Sequence, residues 1–267
     1  MSYWKDKVVL ITGGSSGFGR IMADEFASSG TKLAIVGLER GAIQRATDQL
    51  KAADCDAIGI EANITRQEDV DSVFERTIER FGRLDVLVNN AGRTHRGKVI
   101  DTTPDQFRDL LELNFLATVR CTRAAVPHLL KNHGHIVNIG SLAAKSAARW
   151  VGAYPVSKFA VAAYSQQLRL ELGPEGLHVL LVCPGPIERN DERLYPLEGI
   201  EDLPESARRP GAGVKTKRIH PNQLAKAVLK ACHRRQPELV VPAKARILFA
   251  LSQLFPRLGD WIVLKKT

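Results

Sequence analysis

Lys7-Val8-Val9-Leu10-Ile11-Thr12-Gly13-Gly14-Ser15-Ser16-Gly17-Phe18-Gly19 is the stretch whose pattern decides the architecture of this chain. Residues 7–12 form a short apolar, β-branched run, the pattern of a strand buried on both faces of a parallel sheet. Residues 13–19 form a glycine-rich turn spaced G-x-x-x-G-x-G, which differs from the better-known G-x-G-x-x-G. Residues 20–29 then repeat apolar positions at helical spacing and stop at Gly30. Strand, glycine turn and helix in this order let the backbone bend sharply and approach a pyrophosphate, which rests on the helix N-terminus. Glycines also end strands, so it is the position after a first strand that argues for a cofactor.

Outward from this stretch the alternation continues. Strands are expected at 32–37, 56–62, 84–89, 135–139 and 179–183, and helices at 40–53, 67–81, 104–132, 153–172 and 221–234. Strands alternating with helices of this length imply right-handed crossovers and a parallel sheet covered on both faces. Residues 184–218 break the rhythm with five prolines, many charges and no period. A loop this long inside a compact domain is usually functional, and residues 186–218 are expected to form a substrate lid.

With 267 residues, 44% of them hydrophobic, the chain can close one large α/β core. Cys55, Cys121, Cys183 and Cys232 lie far apart with no C-x-x-C pair and no His at ligand spacing. They read as buried free thiols of a reducing compartment, with no metal site. The N-terminus has no basic segment followed by an apolar one, so no signal peptide is expected and the location is cytoplasmic. A net charge of +9 points to an anionic partner without naming it. Basic residues are not interleaved with aromatics, so nucleic acid is not expected.

Further motifs follow the other strands in order: Asn89-Asn90-Ala91-Gly92, then Ser141, then Tyr154-Pro155-Val156-Ser157-Lys158, then Pro184-Gly185. This set resembles the short-chain dehydrogenase/reductase family from about residue 7 to 186, and again from near 221. The resemblance implies a single doubly wound Rossmann-type domain with a mostly parallel seven-stranded sheet. It also implies a homo-oligomer and hydride transfer between NAD(P)(H) and a carbonyl or secondary alcohol.

Tyr154 and Lys158 are four residues apart and share one helical face. A tyrosine with a pKa near 10 is a poor base at neutral pH, and a neighbouring ammonium favours its phenolate. That lets the phenol exchange a proton with a substrate oxygen, to which Ser141 supplies a hydrogen bond. By resemblance Asn114 completes the catalytic set by holding a water in a relay with Lys158, and Lys158 also bonds the nicotinamide ribose. A lone Y-x-x-x-K would be an ordinary amphipathic helix; together with Asn114 and Ser141 it is not. The rival reading, a non-catalytic cofactor-binding sensor or scaffold, calls for a missing catalytic group, and none is missing. By resemblance the cofactor is held by Gly13, Ser15, Ser16, Gly17, Phe18, Gly19, Leu38, Glu39, Arg40, Asn63, Ile64, Asn90, Ala91, Gly92, Tyr154, Lys158, Pro184, Gly185 and Ile187.

The chain departs from the family at two places. At the end of the second strand Gly37 stands where NAD-preferring relatives carry Asp, and Leu38 where many NADP-preferring relatives carry Arg. Glu39 would serve NAD and Arg40 NADP; the missing acid and the basic chain favour NADP(H). After Pro186-Ile187 the family's nicotinamide-holding Thr is replaced, with Arg189 at about its position.

Arg93-Thr94-His95-Arg96 should border the substrate pocket, as an anion-greeting edge or as a solvated loop. In residues 244–267 Ile247, Leu251, Leu254, Leu258 and Trp261 share a helical face rimmed by Lys244, Arg246, Arg257, Lys265 and Lys266. Pro256, Arg257 and Asp260 interrupt the apolar run, so a transmembrane span is not expected. Such a face packs on the core or a second subunit, or rests on an anionic membrane from which a lipid-like ketone is taken. The tail also resembles, loosely, that of lipid-ketone reductases of the same family.

Overall fold

β-Branched runs bounded by glycine and polar residues become seven strands in the computed structural model, which describes residues 3–188, 201–208 and 217–266. They are β1 (Val8–Thr12), β2 (Lys32–Gly37), β3 (Ala57–Glu61), β4 (Val86–Asn89), β5 (His135–Ile139), β6 (His178–Pro184) and β7 (Glu238–Val241). All six pairings are parallel, in the order β3-β2-β1-β4-β5-β6-β7. The sheet of this single α/β domain is therefore wholly parallel, where the sequence led us to expect a mostly parallel one.

The period of two along each strand divides the core. Val9 and Ile11 of β1 join one buried cluster with Met22 and Phe26 of helix α1 (Gly17–Ser28), Ala46 and Leu50 of α2 (Arg40–Ala52), and residues near the C-terminal end of the sheet order. Val8 and Leu10 point the other way. They meet Val70, Val73 and Phe74 of α3 (Gln67–Phe81) and, further along the chain, Ala117, Cys121 and Leu129. Burial of each such side chain stabilises by about 1.5–3 kcal/mol, which is why an unalternating run like Val8–Ile11 can only lie inside.

The helix expected over 104–132 is continuous but not uniform. Thr103 caps α4 (Pro104–Leu111) through a reciprocal bond pair with Gln106, a π-helical segment spans Glu112–Leu116, and α5 (Ala117–Lys131) follows. The widened turn carries Asn114, and the sequence gives no periodic sign of it; single π turns often mark functional positions. Next come α6 (Tyr154–Leu172), the short α7 (Glu205–Arg208) and α8 (Pro221–His233), whose Leu224 and Val228 complete the first cluster.

The tail differs from expectation. It is two helices, α9 (Ala245–Leu254) and α10 (Pro256–Lys266), because Phe255 is extended (φ −133°, ψ 78°) and Pro256 cannot continue α9. The five apolar residues expected on one helical face are therefore split between two axes. The helices meet closely: a Cβ on Gly259 would lie 2.4 Å from Ser252 Oγ. Ala245 and Phe249 anchor α9 against Ala144, Val161 and Val240.

Most of residues 186–218, the expected lid, lies outside the described residues. Its two roots are paired: Glu188 N donates to Ile219 O at 2.9 Å, and Ile219 N to Pro186 O at 2.9 Å.

All four cysteines are buried and free. Cys232 comes within 4.8 Å of the ring nitrogens of His135 and His178, a grouping the sequence did not suggest. Those nitrogens are already engaged. His178 Nε2 faces Gln236 O at 2.8 Å and so donates, leaving Nδ1 to accept from His135 Nδ1 at 2.8 Å; His135 Nε2 then accepts from Tyr3 Oη at 2.6 Å. Burial and neighbouring cations push both imidazoles down, to about 3 for His135 and about 4 for His178, so both are neutral.

Candidate active site

The strand order reverses between β1 and β4, and in open α/β sheets ligands bind beyond the carboxyl ends of the strands at such a switch point. Both motifs that follow these strands meet there. Thr12 Oγ1 accepts from the backbone N of Asn90 at 3.0 Å and of Ala91 at 3.1 Å, and Asn90 Nδ2 donates to Thr12 O at 3.0 Å and Gly13 O at 3.3 Å. Asn90 thus ties the glycine turn to the end of β4. Gly19 is packed against this tie: a Cβ there would sit 2.2 Å from Gly13 O and 2.4 Å from Asn90 Nδ2.

Gly17 is the opposite case. Its φ is +53° and nothing lies within 4 Å of where its Cβ would be, so the turn leaves an open cradle. The N-terminus of α1 beside it has no side-chain cap from Ser16 and no acidic residue in its first turn. Uncapped N–H groups at a positive dipole end suit a phosphate group, so the residues present fit a dinucleotide. Ser15 lies against Gly37, whose added Cβ would be 2.7 Å from Ser15 Oγ. Leu38, Glu39 and Arg40 are exposed at the head of α2, and Glu39 makes no side-chain cap bond. Asn63 Oδ1 accepts from Thr65 N at 3.1 Å and Thr65 Oγ1 at 2.8 Å, which forms the turn into α3, and Ile64 is buried.

A cavity of about 700 Å³ opens beside this turn. Phe18, Asn90, Gly92, Ser141, Tyr154, Lys158, Pro184, Gly185 and Ile187 all line it. Tyr154 opens α6, with Pro155 in the first turn, where its missing N–H costs nothing. Lys158, one turn on, is buried, donates from Nζ to Ile139 O at 2.8 Å and lies 5.9 Å from the Tyr154 ring centre. Burial lowers its ammonium from the usual 10.5 to about 8. Ser141 caps the 3-10 turn Leu142–Ala144 by accepting from Ala143 N at 3.1 Å, which leaves its hydroxyl proton for donation.

Asn114 is buried in the π turn, and its carboxamide is committed: Oδ1 accepts from Arg93 N at 2.9 Å, and Nδ2 donates to Arg93 O at 2.9 Å and Ser157 Oγ at 3.0 Å. Ser157 Oγ in turn donates to Tyr154 O at 2.8 Å. Asn114 also sits against Gly92, where a Cβ would meet its Oδ1 at 2.8 Å. This side chain braces Tyr154 and the 93–96 loop at once, work that its place in the sequence did not reveal.

Of the loop after Gly92, Arg93, Thr94 and Arg96 line the cavity and His95 does not. His95 Nδ1 accepts from Ala153 N at 3.3 Å and fills the space over Gly152, fixing the residue before Tyr154; burial holds it below the usual imidazole value. Arg189 lies outside the described residues. The largest omission from the sequence reading is the far wall, made by α9 and α10 through Leu248, Phe249, Leu251, Ile262 and Val263. The apolar periodicity of the tail was visible, but not that it folds back over the strand ends.

A family model for short chain dehydrogenases matches residues 7–193. The chain is 31% identical over 266 residues to the oxidoreductase YxnA of Bacillus subtilis, covering 98% of this chain and 72% of that protein. It is 31% identical over 255 residues to dehydrogenase/reductase SDR family member 7B of Xenopus tropicalis, covering 90% and 78%. A short-chain dehydrogenase of Streptomyces avermitilis superimposes with a TM-score of 0.79 at 29% identity, over 98% of each chain. A short chain dehydrogenase/reductase of Burkholderia phymatum, in complex with NAD, does so with a TM-score of 0.84 at 24% identity, over 97% of this chain and 96% of that one. Among the described residues no helix is long and apolar enough to cross a membrane.

Proposed function

The chain belongs to the short-chain dehydrogenase/reductase family, and from that membership we propose that it moves a hydride between a nicotinamide cofactor and a carbonyl or secondary-alcohol carbon. The observation that carries this reading is the delivery of Ser141, Tyr154 and Lys158 to one cavity, beside a cradle suited to a dinucleotide. When bound, the nicotinamide supplies or accepts the hydride. Tyr154 gives its phenolic proton to the substrate oxygen during reduction and takes one during oxidation. Ser141 donates to the same oxygen as negative charge builds on it. Lys158, a cation in a dry wall, favours the phenolate and restores its proton. Asn114 acts through Ser157 and Arg93 as a positioning residue.

The glycine turn, Asn90–Gly92 and the segment 184–187 would hold the cofactor. NADP(H) is the proposed form: no acid stands at Gly37, where any side chain presses on Ser15, while Arg40 is exposed at the head of α2. The Burkholderia phymatum relative is in complex with NAD, and Glu39 makes NAD(H) the competing form. The apolar wall from α9 and α10 favours a hydrophobic, lipid-like carbonyl compound, with Arg93 and Arg96 adding positive charge at the cavity edge.

Titration with NADPH and NADH by nicotinamide fluorescence, followed by a panel of hydrophobic ketones, tests the reading. NADPH binds more tightly, and Tyr154→Phe loses turnover by a factor on the order of 10²–10⁴ while cofactor affinity is retained. Unchanged turnover in that variant overturns the role given to Tyr154.

A further inference from the structure

The two C-terminal helices have an inner and an outer side. The inner side closes the cavity; on the outer side Ile247, Leu254, Phe255, Leu258, Trp261 and Leu264 leave between 41% and 72% of their surface in water. These six fall within eighteen residues and are six of the fourteen large apolar side chains exposed among the described residues. Exposed apolar residues scattered singly need no explanation, but six concentrated in one short helical hairpin do. Ile247 belongs to both sides, lining the cavity while two-thirds exposed, so the apolar outer surface runs into the cavity mouth.

The charge in this segment is predominantly positive. Lys244, Arg246, Arg257 and Lys265 lie in the same segment as this group, against the single acid Asp260. Among the described residues no carboxylate pairs with Lys244, Arg257 or Lys265. Lys265 Nζ lies 4.0 Å over the Trp261 ring, an arrangement that keeps an ammonium at the edge of an apolar surface.

We infer that the α9–α10 hairpin is a docking face for an anionic lipid bilayer, which it meets in the plane of the headgroups with the cavity mouth turned to the lipid. Helices of ten and eleven residues are too short to span a bilayer, but an apolar side with a basic rim is the pattern of an interfacial helix. A second copy of this chain fits less well. A two-fold interface sets the same patch against itself and would press the unpaired cations of the two hairpins together. The inference deepens the proposed preference for a hydrophobic carbonyl substrate, because it names the phase from which that substrate enters. Docking itself needs neither cofactor nor Tyr154, so the two readings fail separately.

The test is co-sedimentation of the full chain with vesicles of equal parts phosphatidylcholine and phosphatidylglycerol, and with phosphatidylcholine alone. Binding to the anionic vesicles is expected, weakening in high salt and on phosphatidylcholine alone. Trp261→Ala and Leu258→Ser should each lose about tenfold in partitioning, and Arg257→Glu with Lys265→Glu more. None of these side chains lines the cavity, so thermal unfolding and cofactor fluorescence should stay at the parent values. A chain that stays in the supernatant with anionic vesicles at low salt overturns the inference. So does equal binding by the variants, or a concentration-dependent dimer that these substitutions abolish in the absence of vesicle binding.

Discussion

Gly17 and Gly19 stand two residues apart and do different work. At Gly19 an added methyl collides with Gly13 O and Asn90 Nδ2, groups tied to each other, so neither can yield alone. Gly19→Ala is expected to cost about 1–3 kcal/mol of stability and to weaken cofactor binding together with it. Gly17→Ala meets no atom; its penalty is the left-handed backbone, about 1 kcal/mol, while its methyl projects into the cradle. It should lose cofactor affinity far out of proportion to stability. Fluorescence titration and thermal unfolding of the two variants separate these outcomes; proportional losses in both would remove the cradle assigned to Gly17. Lys158 allows a second prediction at this scale. Its folded value of about 8 lies below the usual 10.5, so the cofactor-free protein should release this proton around pH 8. Side-chain chemical shifts followed against pH read this directly, and a midpoint above 10 would show that the ammonium is hydrated. The sign also bears on stability. A base held low in the folded state favours unfolding as pH falls from 10.5 toward 8, so burying this cation is a cost the fold carries.

The elements that carry the proposed catalytic side chains are joined by a buried polar chain. Thr122 of α5 accepts from Asn89 of β4 at 3.2 Å, Asn89 donates to Asn138 of β5 at 2.9 Å, and Asn138 donates to Ser165 of α6 at 2.9 Å. Four elements are thereby registered inside an otherwise apolar core, and α6, which presents Tyr154 and Lys158, is held at its middle. Removing one member strands the others, and an unsatisfied buried group costs about 1–3 kcal/mol. Asn138→Ala is therefore expected to lower stability by about that amount and to reduce turnover with little change in cofactor affinity. Denaturant unfolding and single-turnover kinetics check it; a neutral Asn138→Ala would mean that packing alone holds α6. Asn89 was legible beforehand only as the first residue of a motif that follows a strand. Its partners were not, because Thr122, Asn138 and Ser165 lie on three other elements and sequence spacing does not couple them.

For the molecule as a whole, the neutral pair His135–His178 at the amino ends of β5 and β6 makes stability depend on acidity. Both imidazoles titrate near 6.5 in the unfolded chain but near 3 and 4 when folded. Their contribution is complete above pH 6.5 and is lost as pH falls toward 4, because only the unfolded chain takes up these protons. Each group steepens the loss by up to about 1.4 kcal/mol per pH unit. Unfolding free energy measured from pH 7 to 4 should fall on this slope, and His135→Gln with His178→Gln should flatten it even if the variant is less stable at pH 7. An unchanged slope would assign acid sensitivity to other groups.

The sequence by itself determined the strand–turn–helix order and the sheet that follows from it, and it carries the family motifs from which Ser141, Tyr154 and Lys158 are proposed as the catalytic set. An unalternating β-branched run has to be buried, a glycine turn after the first strand permits a close approach, and four residues on a helix make one face. Tertiary structure alone decided the rest. The Asn114 carboxamide spans 21 residues to Arg93 and 43 to Ser157, and the two imidazoles come together across 43. The tail, whose apolar residues read as one face, is broken at Phe255–Pro256 and folded over the strand ends. Periodicity reports that a side chain prefers to leave water, but which surface receives it is set by where the rest of the chain has already packed.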